Sequence, residues 1–142
     1  MLIQSWFLLG ILGIHSIEDI RDRRITVTLS LFSGIVGLML HLIFFDQTIF
    51  SMLCGILTGI FLLGFSKVSR GVIGMGDGIV FMVTGLFVGF YNNLILMFLS
   101  FSFAGICAVS LLFMGKVRKM DRLPFVPFLF AAYSMMCITG RV

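Results

Sequence analysis

The chain is 142 residues long, 60% of them hydrophobic and only 11% charged, with a formal net charge of +4. A soluble globular domain is nearer half apolar and a quarter charged, so this composition excludes a soluble enzyme with one anchor and points to a polytopic membrane protein. No nucleic-acid partner is expected from the positive balance, because the basic residues sit in short connections between apolar runs.

A membrane-spanning helix needs about 20 apolar residues, with a lower limit near 17. Polar interruptions at 19–26, 46–48, 66–77, 91–93 and 116–122 divide the chain into six segments, at about 2–18, 27–45, 49–66, 78–91, 93–115 and 124–140. The expected fold is all-α, a single membrane-embedded domain over 1–142 with six transmembrane helices. The first segment has neither a basic region ahead of it nor a small-residue cleavage site after it, so it reads as a retained helix and not a signal peptide. Glycines 34, 37, 55 and 59 in the second and third segments are expected to allow close helix packing.

Lys and Arg accumulate in the cytoplasmic connections of membrane proteins. Arg21, Arg23 and Arg24 fall in the first connection, Lys67 and Arg70 in the third, and Lys116, Arg118, Lys119 and Arg122 in the fifth. The second and fourth connections have none, and Arg141 alone falls on the other side. Both termini are therefore expected outside, in a multi-pass protein of the cell membrane. Cys54, Cys107 and Cys137 lie inside apolar runs without paired spacing, which argues against a disulfide framework or a zinc site. No metal or organic cofactor is expected.

This parity places Asp19, at the end of the first helix, and Asp77, at the start of the fourth, on the same cytoplasmic side. An ionisable side chain at the membrane is costly and reads by default as functional. Structural readings stand beside that one: Asp77 as a helix N-cap, Asp19 as a partner of Arg23 one turn on. Gly74, Gly76 and Gly78 surround Asp77 with residues that let another backbone approach, which suits an extended substrate. Two facing carboxylates cannot both ionise cheaply, so they share a proton, the arrangement that aspartic proteolysis uses to activate water.

The motif "GMGD" (74–77) resembles the Gly-x-Gly-Asp signature of intramembrane aspartic proteases, and the chain is similar to the type IV prepilin peptidases and their preflagellin relatives. "DIRDRRI" (19–25) resembles the stretch that carries that family's first catalytic aspartate, Gly85 fits its fourth-helix pattern, and "LPFVPFL" (123–129) resembles its Pro-Phe-x-Pro-Phe segment. The resemblance implies an aspartic endopeptidase that cuts the basic leader from pilin-like precursors at the cytoplasmic face, with Asp19 and Asp77 as the catalytic pair. Thr26 stands where the family usually has Pro, and Ile79 where it usually has Lys; the second change bears on substrate-side or charge-balancing contacts and not on the pair. The cysteine-bearing domain of longer members does not precede Asp19 here, so peptidase activity without N-methylation is expected. The presenilin-like branch, with Tyr before its first aspartate and a terminal Pro-Ala-Leu, does not match.

Pro124, Phe125 and Pro127 are supporting candidates: Pro127 is either an ordinary first-turn proline or a device that leaves backbone groups open to substrate. Glu18 and Asp22 either meet a basic leader or balance the neighbouring arginines. His15, one turn before Asp19, reads as a structural histidine or as a group that tunes Asp19, and His41 and Asp46 fall toward the outer side. The run from Gly71 to Gly76 is a candidate moving segment. Partners are a pilin-like precursor and membrane lipids, with the oligomeric state left open. The alternative is a catalytically inactive relative of the peptidases, or a small membrane scaffold or carrier.

Overall fold

The computed structural model describes residues 2–22, 25–44, 48–68, 74–115 and 123–140. Among them every regular element is helical: α1 (Leu2–Asp22), α2 (Val27–Phe44), α3 (Ile49–Val68), α4 (Met75–Phe113) and α5 (Val126–Ile138). Long apolar runs fold this way because lipid offers no partner to backbone N–H and C=O groups, and a helix satisfies them within one segment. α3 and α4 are long and apolar enough to cross a bilayer, and 27–43 and 126–138 are shorter apolar helices. Trp6, Phe32, Phe61, Phe98 and Ile106 all point outward, part of an apolar surface that lipid covers and water would penalise. The chain is a membrane protein. Most of the basic residues behind the expected orientation (Arg23, Arg24, Arg70 and those at 116–122) lie outside the described residues, as do Asp46, Gly71 and Arg141.

α4 is not one rod. Residues 81 and 101 of a continuous helix would stand about 30 Å apart, yet the ring centroids of Phe81 and Phe101 are 6.4 Å apart. Thr84 Oγ1 likewise donates to Asn93 Oδ1 at 2.8 Å. The chain therefore doubles back at Gly89, whose φ of 73° and ψ of 179° break the helix, a combination open essentially to glycine alone. The sequence placed this break at the polar residues 91–93. Instead 91–93 are helical and Asn93 is buried, because backbone geometry and not side-chain polarity decides where the turn falls. The other expected bounds move by a few residues. α1 runs through Asp19 to Asp22 and α4 begins at Met75, so both aspartates lie on helices, where they were expected at helix ends or in connections.

α3 packs along the first arm of α4, with glycine facing glycine at the crossing. A Cβ on Gly85 would collide with the Gly55 carbonyl, and one on Gly59 with the Met82 backbone. Gly37 accommodates the Phe87 ring, whereas Gly34 faces open space and serves no close contact. Asn93 completes this packing: its Nδ2 reaches Thr58 Oγ1 at 2.5 Å and the carbonyls of Gly55 and Phe81 at 3.2 Å each. Its two N–H hydrogens are thus shared among three acceptors. α1 and α5 pack on each other and on α4, burying Leu8, Leu12, Phe81, Leu96, Leu129 and Tyr133.

Gly89→Ala is expected to lower stability by about 1–3 kcal/mol, the cost of forcing a Cβ into this backbone region. Gly34→Ala, at an open helical position, is expected to stay within about 0.5 kcal/mol of the parent. Thermal denaturation in detergent compares the two.

Candidate active site

Asp19 lies in the last turn of α1 and is buried. Burial of a carboxylate demands compensation, and it comes from the far end of the chain: the Val126 N–H donates to Asp19 Oδ2 at 2.9 Å. Val126 opens α5, so its N–H is one of the donors that a helix start leaves without an intrahelical partner. Pro127 follows in the first turn, where its missing N–H costs nothing. Phe125 caps α5, its carbonyl accepting from the N–H groups of Phe128 and Leu129 at 3.0 and 3.3 Å. The Phe125 carbonyl and the Val126 N–H are both engaged within the chain. Pro124, Phe125 and Pro127 are each half-buried around this junction.

Asp77 lies in the first turn of α4. Gly74 is the N-cap, and its N–H donates to Asp77 Oδ2 at 3.2 Å while the Asp77 N–H donates to the Gly74 carbonyl at 3.2 Å. This reciprocal pair starts the helix. The space above Gly76 is filled by the Ile25 side chain, 2.6 Å from where a Cβ would stand, and that above Gly78 by Leu63 of α3, at 2.7 Å. These two glycines therefore admit the protein's own side chains beside Asp77.

Asp19 lies near enough to Asp77 for its charge to act on that carboxyl. Aromatic packing makes the same link: Phe81, one turn beyond Asp77, has its ring 6.0 Å from Phe125, which precedes Val126. Phe101 completes the cluster, 4.9 Å from Phe125. The rings of Phe81, Phe101 and Phe125 thus link the first arm of α4, which carries Asp77, to the start of α5, which meets Asp19.

Residues 6–109 match the model of the type IV leader peptidase family. The chain belongs to that family. The matched stretch takes in both aspartates and ends before the α5 junction. No curated protein and no solved structure matches the chain. Membership makes it a leader-peptidase-like protease.

Glu18 accepts from Thr26 Oγ1 at 2.8 Å, from the Thr26 N–H at 3.3 Å and from His15 Nδ1 at 3.1 Å. His15 is buried, with Nε2 3.1 Å from Ser30 Oγ. Since the carboxylate can only accept, His15 Nδ1 carries the hydrogen of that bond. Asp22 is exposed at the end of α1. Sequence reasoning missed Thr26, Ile25 and the Val126 N–H; a backbone donor that reaches back 107 positions leaves no local signature.

Asp19→Asn keeps an acceptor for the Val126 N–H, whereas Asp19→Ala orphans that donor. The alanine variant is expected to unfold more easily than the asparagine variant by about 1–3 kcal/mol, read from denaturation of the two in the same detergent.

Proposed function

We propose that this leader peptidase family member is an aspartic endopeptidase that removes the basic leader of type IV prepilin-like precursors at the cytoplasmic face of the cell membrane. Asp19 and Asp77 are its catalytic pair. The observation that supports the reading is the packing between the two regions, 58 positions apart in the chain: Asp19 accepts from the Val126 N–H, and the ring of its neighbour Phe125 lies 6.0 Å from that of Phe81, one turn beyond Asp77.

The ionised member of the pair takes a proton from water as the water oxygen bonds to the scissile carbonyl carbon. The protonated member hydrogen-bonds to the carbonyl oxygen as it gains negative charge. Collapse of the tetrahedral intermediate breaks the C–N bond, and the departing amine takes a proton from the pair. The pair titrates as one unit, so neither role is tied to one residue. Asp22, exposed beside the site, adds negative charge facing a basic leader.

In the proposed topology the two arms of α4 count as separate crossings, giving six, with both termini outside. The alternation of basic and uncharged connections supports that orientation.

Incubating the purified protein with prepilin-like precursors from its own organism, and locating new N-termini by mass spectrometry, tests the reading. Asp19→Asn and Asp77→Asn are each expected to slow cleavage by at least about a hundredfold, the lower end of what positioned acid–base groups contribute. Equal cleavage by all three proteins removes the pair as catalyst. No cleavage by folded wild type across several precursors assigns the chain to inactive relatives or membrane scaffolds.

A further inference from the structure

Glu18, the neighbour of Asp19, is committed to partners within its own chain. Both of its oxygens are occupied by its own chain: Oε1 by the Thr26 hydroxyl, Oε2 by the Thr26 N–H and by His15. Thr26 lies eight positions on, beyond the end of α1, at the threshold of α2. The residue before it, Ile25, projects its side chain onto Gly76, the neighbour of Asp77. His15 and Ser30, both buried, back the carboxylate from α1 and α2.

We infer that Glu18 and Thr26 form a clasp that sets the spacing of the two aspartates. Glu18 is the immediate neighbour of Asp19 on α1. By holding Thr26 it fixes Ile25, and Ile25 bears on the backbone turn from which the Asp77 side chain springs. The first aspartate's helix thereby grips the second aspartate's helix through a single residue. A carboxylate suits this position because it accepts several hydrogen bonds at once, and bonds to an ionised acceptor are about twice as strong as neutral ones. Gly76 belongs to the same device: its missing side chain is the socket for Ile25. Glu18 and Thr26 are positioning residues that touch neither water nor substrate. Displacement of reacting groups by about 1 Å costs up to about a hundredfold in rate, so a loosened clasp is expected to lower kcat and leave KM nearly unchanged.

The inference rests on the aspartic reading above, and its test has one arm that does not. The Ile25 Cβ lies 3.2 Å from where a Cβ on Gly76 would stand, near the roughly 3.5–4.5 Å found across disulfides. Ile25→Cys and Gly76→Cys are introduced together into full-length protein whose Cys54, Cys107 and Cys137 are replaced by alanine, and the rate of disulfide formation is measured. Adding Thr26→Val, which keeps the shape and removes the hydroxyl, is expected to slow cross-linking severalfold, and Thr26→Ser to restore it. In otherwise unaltered protein Thr26→Val is expected to lower kcat for precursor cleavage about tenfold or more with KM within about twofold, again with rescue by serine. Glu18→Gln, which cannot accept from all three donors, is expected to reproduce both losses and serves if the valine variant does not fold. Cross-linking at the parent rate in both variants overturns the clasp, whatever happens to cleavage. Slowed cross-linking with unchanged kcat overturns its role in positioning the pair. Full activity of Asp19→Asn would instead sink the aspartic reading, with the cross-linking rates still deciding whether Glu18 and Thr26 hold Ile25 on Gly76.

Discussion

The hydrogen bond from the Val126 N–H to Asp19 joins the last turn of α1 to the first of α5 across 107 positions of chain. A buried carboxylate is tolerable only when its charge is met by donors, and a helix start has donors to give. The two elements therefore solve each other's problem: α5 gains an acceptor for an N–H that its own turns cannot use, and Asp19 gains a partner in an apolar setting. Leu8, Leu12, Leu129 and Tyr133 bury the surfaces that this contact brings together. The same bond helps to set where Phe125 stands, and with it the contacts of its ring with Phe81 and Phe101.

Asp77 is held by a more local arrangement. Its carboxylate caps the helix that carries it, so the reading as a cap and the reading as a reactive acid describe one side chain in one position. Capping engages one oxygen, Oδ2, with the Gly74 N–H. Gly76 and Gly78 bring α4 against Ile25 and Leu63, which limits the freedom of the turn beneath the carboxylate. Each acid thus accepts from a backbone N–H, Asp19 from Val126 and Asp77 from Gly74.

Much of this was legible in the sequence. Apolar runs separated by polar clusters marked the helices, and the "GMGD" and "DIRDRRI" motifs drew attention to Asp77 and Asp19. Gly55 and Gly59 were rightly read as packing positions, and the structural reading of His15 agrees with its burial between Glu18 and Ser30. What failed was anything decided by non-local geometry. Tyr91, Asn92 and Asn93 looked like a connection because they are polar, but Gly89 makes the turn and Asn93 is consumed by partners on α3 and on the first arm of α4. The glycines around Asp77 suggested room for a visitor, and the structure fills two of the three spaces from within. Thr26 registered only as a departure from a family pattern, since its value lies in Glu18, which no spacing rule connects to it.

The buried amide of Asn93 also bears on how the molecule is assembled. Its partners come from α3 and from the arm before Gly89, while it rides on the arm after it. No single inserted helix can satisfy it, and in hydrocarbon an unsatisfied amide is costly. The three rods therefore gain most by condensing as one body, with the carbonyl of Gly55 serving both as steric stop and as acceptor. α1 and α5 stand outside that set of bonds, packing on each other and on α4. Asp77 therefore rides on the trio and Asp19 on the α1–α5 junction, two parts of the molecule tied by separate polar contacts.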